Sequence, residues 1–523
     1  MTNLRDELLA IAKRLELAIE FPPAVLAEVE ALVADPGIDD PSLVDRTALP
    51  LVTIDGETSK DLDQALHVAR EGDGYLISYA IADASHYVKP KSALFEEAMR
   101  RGATYYFPGW SVPMLPRPLS EGLVSLNPDG PRRALLFLHR LDSRGELIST
   151  TLERARVHSK AKLSFGGVQR FVDGTDTRHR GAAFEESLFL LREVGRKRMK
   201  LAADKGHIRY RREEVTIQLD GEGISFAVME AARDEVELWN EQISLLCNAE
   251  GGRLLREHPS PAVQPIYRVH GGPAPERLEE LSQLTEALAR AHGLPENPWC
   301  WAPSRQSLAE YIDGLPHAES GSLEDRLVRA ISRQAVMVNL RSEYSIEPGP
   351  HFGVGAEPYA RFSAPMREMV GVFLHKEAVE MLTGVHPSVE EDEALRARVV
   401  EVANQSRTTQ RTVQDAANEL VLDKIFRPEV SKPFAERTRM SGVVMGITSG
   451  KIHVRLDHPP IDVKLYMRDL AKTFDNAWLE PAELGAVLRK KETGEVVLKL
   501  ADRVTLCIAR RDDAQRRWVL ALV

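Results

Sequence analysis

The stretch that decides the reading is "VTIDGETSKDLDQALHV", residues 52–68. Three aspartates, Asp55, Asp61 and Asp63, fall within nine residues of one another, directly behind the short apolar run "ALPLVTI". Asp61 and Asp63 alternate across one residue, so on an extended backbone their carboxylates share a side. Asp55 lies across a turn containing Gly56 that can fold back to meet them. Three carboxylates brought together repel one another and take up protons unless a cation neutralises them. A donor set of oxygens alone, without His or Cys, favours Mg²⁺, with Mn²⁺ as a substitute. Phosphoryl chemistry is the usual work of such a site. By itself the cluster leaves two readings open, a cation site and a solvated turn.

The rest of the chain narrows the setting. At 523 residues it exceeds the ~250–300 at which single cores stop growing, so several domains are expected. Its 43% hydrophobic and 28% charged residues are ordinary globular composition. No apolar run approaches the ~20 residues of a membrane span. The start, "MTNLRDELLAIAKRLELAIEF", lacks the apolar centre of a signal peptide. Cys247, Cys300 and Cys507 form no C-x-x-C pair, which argues against a zinc site and a disulfide framework. A cytoplasmic protein, monomeric and without a membrane partner, is the expectation. The formal charge of −10 argues against a nucleic-acid partner, yet residues 437–523 carry 16 Lys+Arg against 11 Asp+Glu. A second basic stretch covers 192–212; such runs are either solvated faces or phosphate contacts.

Periodicity predicts an α+β chain. Residues 1–46 read as a small helical module, either helix-turn-helix-like or a plain helical cap. Strand-like sequence follows, including a hairpin turning at Asp142–Gly145. Helices are predicted over 184–204, 234–257, 275–292, 321–342, 364–382 and 389–426. Beyond Arg427–Pro428 short strands with turn residues predict a small β-barrel at 437–523. "GITSGK" at 446–451 imitates a phosphate loop but is one residue short, and Ile452 stands where Ser or Thr is needed; it reads as a turn. "DLDQA" departs from the haloacid-dehalogenase motif at Ala65, and the aspartate spacing does not fit an EF-hand. No G-x-S-x-G, H-E-x-x-H or Rossmann fingerprint is present.

The opening stretch closely resembles the signature T-I-D-x-x-x-[ST]-x-D-[ILM]-D-D-A-[IL] of the ribonuclease II family, 3′→5′ exoribonucleases of the RNB type. "IADASHYV", "YYFPGWSVPMLPRPLSEGLVSLNP", "HSKAKLSFGGV", "IYRVH" and "HFGVGAEPYARFSAPMRE" follow in the family's order. The resemblance implies an RNB exoribonuclease domain over 47–430 and, over 437–523, an RNA-binding OB-fold of the ribosomal S-one type. It implies Mg²⁺ held by Asp55, Asp61 and Asp63, with Asp63 most essential for cleavage. Arg367 matches the arginine of the S-P-I-R block and would grip phosphate. Tyr106 matches an aromatic that packs on a nucleotide near the 3′ end. The partner implied is single-stranded RNA, entered at its 3′ end and released as nucleoside 5′-monophosphates. His86, Asp83 and His351 read as structural.

The departures are specific. Gln64 stands at the fourth family aspartate, so a weaker amide ligand is expected there. Met369 and Gly371 replace a usual tyrosine and aspartate, and Gln414 replaces a usual glutamate that would face substrate. Only 54 residues precede Asp55, too few for the family's two cold-shock barrels, so closer access of structured RNA is expected. A catalytically decayed RNB scaffold that only binds RNA is the rival reading, and a phosphodiesterase for another nucleic acid the third.

Overall fold

Long, largely buried strands build the sheet beside which the aspartates lie. In a computed structural model that describes residues 3–207, 214–219, 225–231 and 233–523, β1 (Val44–Asp45) and β2 (Thr53–Asp55) precede the hairpin of β3 (Gln64–Glu71) and β4 (Gly74–Ala82). After the short hairpin β5 (Tyr105–Phe107) and β6 (Trp110–Val112), β7 (Arg132–Leu141) and β8 (Leu147–Val157) flank the predicted turn, and β9 (Lys162–Ser164) follows. The main sheet has the order β1-β8-β7-β4-β3, antiparallel except where β1 meets β8. Strand β2 leaves this sheet and pairs in parallel with β9. Tyr75, Ile77, Tyr79 and Ile81 of β4, with Leu135 and Phe137 of β7, centre the larger core.

Helices close over one face. Those predicted at 184–204, 234–257 and 275–292 form as Glu185–Asp204, Glu235–Arg256 and Pro275–His292. The first two touch through Gly195, where a Cβ would lie 2.3 Å from Cβ of Trp239; only glycine allows that approach. The helix predicted over 321–342 is Leu323–Met337. It stops early because Glu343–Ser345 (β13) pairs with Tyr267–Val269 (β12), as a second short hairpin, β10 (Glu214–Leu219) with β11 (Phe226–Ala231), lies before them. Neither pairing is visible in the periodicity. The helix predicted from 364 starts at Met369, since the Ala364 carbonyl accepts N–H from both Arg367 and Glu368 in a tight turn. Helix Met369–Thr383 is buried on almost every side.

The 42-residue helix Val389–Val430 spans about 60 Å at 1.5 Å per residue and holds Pro428 in its last turn. It joins the aspartate-bearing half to the C-terminal strands, where Phe426 meets Trp518 edge-on at 5.7 Å. Those strands are β14 (Met440–Ile447), β15 (Lys451–Leu456), β16 (Asp462–Tyr466), β17 (Leu479–Ala482), β18 (Val487–Lys490), β19 (Val496–Lys499), β20 (Arg503–Asp512) and β21 (Arg517–Leu522). They form a five-stranded sheet, β16-β15-β14-β20-β21, whose edges β16 and β21 touch, and a three-stranded one, β17-β18-β19. "GITSGK" is the turn between β14 and β15. Their core is continuous with the helices Pro275–His292 and Leu323–Met337.

The N-terminal helices, Leu4–Arg14 and Pro23–Ala34, dock separately on the body. Leu8 and Ile11 pack on Tyr105, Phe107, Val413 and Ala417, whereas Val25 and Val29 join the main core. The two helices thus contribute to different clusters of the core. In the basic stretch 192–212, Arg196 meets Glu235 at 2.7 Å and Lys200 meets Asp204 at 2.8 Å, a self-paired surface; its residues 208–212 lie outside the described residues. Among the described residues no helix is long and apolar enough to cross a membrane.

Candidate active site

Local pairing sets the direction of each aspartate. Leu62 is pinned on both sides: its N–H donates to Ser125 Oγ at 2.9 Å, and its carbonyl accepts Leu126 N–H at 3.0 Å. Leu62 is thereby driven into the core, and Asp61 and Asp63, of opposite parity, turn the other way together. Asp55, at the end of β2, accepts Gly56 N–H at 2.7 Å and Ser59 Oγ–H at 2.8 Å on Oδ1.

Chain 304 residues away closes the site. Asp63 is 1% exposed and accepts Met366 N–H at 3.2 Å and Arg367 Nε–H at 2.7 Å. The same Nε stands 4.0 Å from Asp61 Oδ2, so one guanidinium bridges two aspartates. The Arg367 carbonyl accepts Thr104 N–H at 2.9 Å, which ties β5 to the turn. On β5, Tyr105 and Phe107 are buried, and Tyr106 between them is 53% exposed. Its hydroxyl is drawn in beside Arg367, and loss of water there with Asp61 and Asp63 nearby pushes it up to about 12.

Burial raises the Asp63 carboxyl to about 6 although Arg367 opposes it and Asp61 adds to it; Asp61 is raised for the same leading reason. Arg367, held by Asp63, keeps its proton more tightly than usual. A carboxyl whose folded value exceeds its unfolded 3.8 favours the fold only while protonated. That contribution is complete below the unfolded value and lost as pH rises through about 6. Metal-free protein should therefore lose thermal stability between about pH 4 and 7 relative to Asp63→Asn. At limiting Mg²⁺, activity should climb about tenfold per pH unit towards pH 6, because a cation must displace that proton. A flat profile over this range would refute the link.

The donors suit a hard cation: carboxylate oxygens throughout, two of them on crowded acids. They do not converge in advance, however. Among the described residues the acidic side chains whose oxygens gather within 4.8 Å are Glu377, Glu380 and Asp392. There Lys376 Nζ already fills the centre, at 2.8, 2.9 and 2.6 Å.

The departures have physical counterparts. The Gln64 amide oxygen accepts the buried Tyr79 hydroxyl, and its Nε2 donates to the Ser363 carbonyl at 2.5 Å. Both ends of the amide are thus engaged by the protein, and a cation held there would use the second lone pair of the amide oxygen. A Cβ at Gly371 would lie 2.7 Å from Pro365 Cα, so the family's aspartate has no room in this packing. Gln414 is exposed and donates to Asn418 at 3.0 Å; no hydrogen bond joins it to the aspartates or Arg367. One turn earlier, Gln410 reaches the Thr104 carbonyl at 3.4 Å. Residues not foreseen include Asn248, which donates to Tyr359 and Ser363 at 3.0 Å each and accepts Ser363 N–H at 3.0 Å. A lone Asn in the apolar run "ISLLCNA" was the available signal. Asp83 caps a short turn, accepting His86 N–H at 3.2 Å.

A family model described as the RNB domain matches residues 44–384. The chain belongs to the RNB family. This RNB chain is similar to Ribonuclease R of Escherichia coli (strain K12), 28% identical over 527 residues, covering 97% of this chain and 61% of that protein. It is also similar to Exoribonuclease 2 of Yersinia pseudotuberculosis (serotype IB, strain PB1/+), 29% identical over 417 residues, covering 79% and 61%. Its fold matches Mycoplasma genitalium RNase R in complex with ribose-methylated single-stranded RNA, with a TM-score of 0.86 at 22% identity over 100% of this chain and 78% of that one. The RNB chain thus spans 61% of the length of these curated relatives. As expected, its described N-terminal residues are helical, at Leu4–Arg14 and Pro23–Ala34, rather than cold-shock barrels.

Proposed function

We propose that the chain is a 3′→5′ exoribonuclease that hydrolyses single-stranded RNA to nucleoside 5′-monophosphates, acting as a cytoplasmic monomer in RNA turnover. The observation that carries this is the 2.7 Å contact of Arg367 with Asp63, which sets a phosphate-gripping guanidinium against the buried carboxylate of an acidic cluster. Asp55, Asp61 and Asp63 would hold Mg²⁺, with Mn²⁺ as substitute, and the bound cation supplies positive charge for the phosphate oxygens and the leaving oxygen. Arg367 spends Nε on Asp63, so the forked end of its guanidinium serves the phosphate. Tyr106 offers its exposed ring to a base without regard to base identity. The division into a helical module at 1–46, an RNB domain at 47–430 and an RNA-binding OB barrel at 437–523 belongs to the same reading.

The test is a 5′-labelled unstructured RNA with Mg²⁺, beside a DNA of the same sequence. A ladder shrinking from the 3′ end, stopped by EDTA and absent for DNA, is expected. The engaged amide of Gln64 and the exposed Gln414 favour the rival, a scaffold that binds RNA without cutting it. Intact RNA in Mg²⁺ and Mn²⁺ with a retained gel shift would establish that rival instead.

A further inference from the structure

Six residues before Arg367 the same segment carries a second arginine with unmet donors. Arg361 places Nη2 3.2 Å from Glu368 Oε1 and keeps 35% of its side-chain surface open. Its Nε–H is buried and meets no acceptor. Arg268, on β12, is built alike: Nη2 donates to Ser342 Oγ at 3.3 Å, and its buried Nε–H also lacks an acceptor. Arg407, from the long helix, donates through Nη1 to the carbonyl and the Oγ of the same Ser342 at 2.6 and 3.1 Å.

These groups answer to one carboxylate. Burial alone would raise Glu368, but Arg361, the Tyr344 hydroxyl, Arg268 and Arg367 together bring it below the usual range. Arg407 is pulled down by burial and next by Arg268, the mark of a crowded positive site. Arg411 adds to that crowding, and Tyr344, whose ring lies 5.6 Å from the Arg268 guanidinium, supplies no charge of its own. Arg361 alone of the three contacts Glu368; Arg268 reaches it through Tyr344, whose hydroxyl donates to that carboxylate, Arg407 shares Ser342 with Arg268, and Asp63 is already committed to Arg367. Buried N–H donors without acceptors and surplus positive charge are costly unless an anion joins them.

We propose that Arg361, backed by Arg268 and Arg407, binds a second phosphodiester of the RNA strand whose cleaved linkage is held at Arg367. This rests on the RNA reading above and adds a residue that lies outside the S-P-I-R block. Two phosphates held on one rigid turn would fix the strand's register over the aspartates, which one grip leaves free to rotate.

The experiment measures binding of a fluorescent, unstructured RNA in EDTA at several salt concentrations, for wild type, Arg361→Gln and Arg361→Lys. Arg361→Gln should weaken binding about tenfold and flatten the slope of log affinity on log salt by about 0.7, the value for one phosphate of a single strand. Arg361→Lys should retain most of the slope. RNAs with one neutral methylphosphonate, moved linkage by linkage from the 3′ end, form the second arm. Wild type should lose affinity at two linkages, and Arg361→Gln should be indifferent at one of them. An unchanged slope, or the same two sensitive linkages in the variant, overturns the proposal. Should Arg361→Gln fail to fold, a single sensitive linkage in wild type overturns it equally. RNA bound in this way but left intact in Mg²⁺ would refute the nuclease reading alone; failure of wild type to bind RNA would refute both.

Discussion

Asp63→Asn is expected to lower kcat on unstructured RNA by about a thousandfold or more while leaving the fold in place. The substitution is isosteric, so no cavity forms. It removes one of three carboxylates proposed for the cation and puts an amide where Oδ1 and Oδ2 accept Met366 N–H and Arg367 Nε–H. An asparagine can satisfy only one of these donors and must turn its NH₂ towards the other, a local conflict of about 1–3 kcal/mol. Against that, the variant no longer buries a carboxyl that its surroundings raise to about 6. The two effects oppose each other, so the melting temperature should move by only a few degrees, at about 2–4 °C per kcal/mol. Rate and melting curve together decide the matter. Activity within tenfold of wild type would remove Asp63 from the chemistry, and a collapsed melt would recast it as a structural residue.

Arg367→Lys should cost about a hundredfold in kcat, and Arg367→Ala about a thousandfold, with KM moving much less. Lysine keeps the charge but not the planar fork, which here divides its work between Asp63 at Nε and phosphate at its other end. A further readout separates this role from simple packing. Arg367 is the main influence holding Asp63 down against burial, so losing it should carry the Asp63 carboxyl above its present value of about 6. The rising limb of the pH–rate profile should then move to higher pH in Arg367→Ala and much less in Arg367→Lys. A uniform loss of rate with an unmoved limb would mean that the arginine only braces the turn.

How much of this was legible beforehand differs from residue to residue. Asp61 and Asp63 reach one guanidinium, as period-two alternation of an extended backbone predicts from the local chain alone, although the strand itself begins only at Gln64. The long helix and most of its neighbours were legible from spacing, whereas β10–β13 were not. A three-residue strand such as β12 has almost no period to read and exists because a distant partner, β13, completes its hydrogen bonds. Gln64 is a different case: its place in the motif suggests an ion, and the structure adds that Tyr79, on the hairpin partner strand, and Ser363, 299 residues away, hold its amide. Arg361, Arg268 and Arg407 come from three separate segments, and no pattern along the chain announces that they meet.

From sequence alone came the RNB resemblance, the aspartates' common side and the α+β class, because motif order and periodicity are properties of the chain itself. Tertiary structure alone decided that Arg367 lies against Asp63, that Gln64 is held by Tyr79 and Ser363, and that the two N-terminal helices dock apart. Each of those depends on which groups burial forces together from other elements, about 300 residues apart for Arg367 with Asp63 and for Gln64 with Ser363. There a buried donor takes whatever acceptor the packing presents, and no local rule can name it.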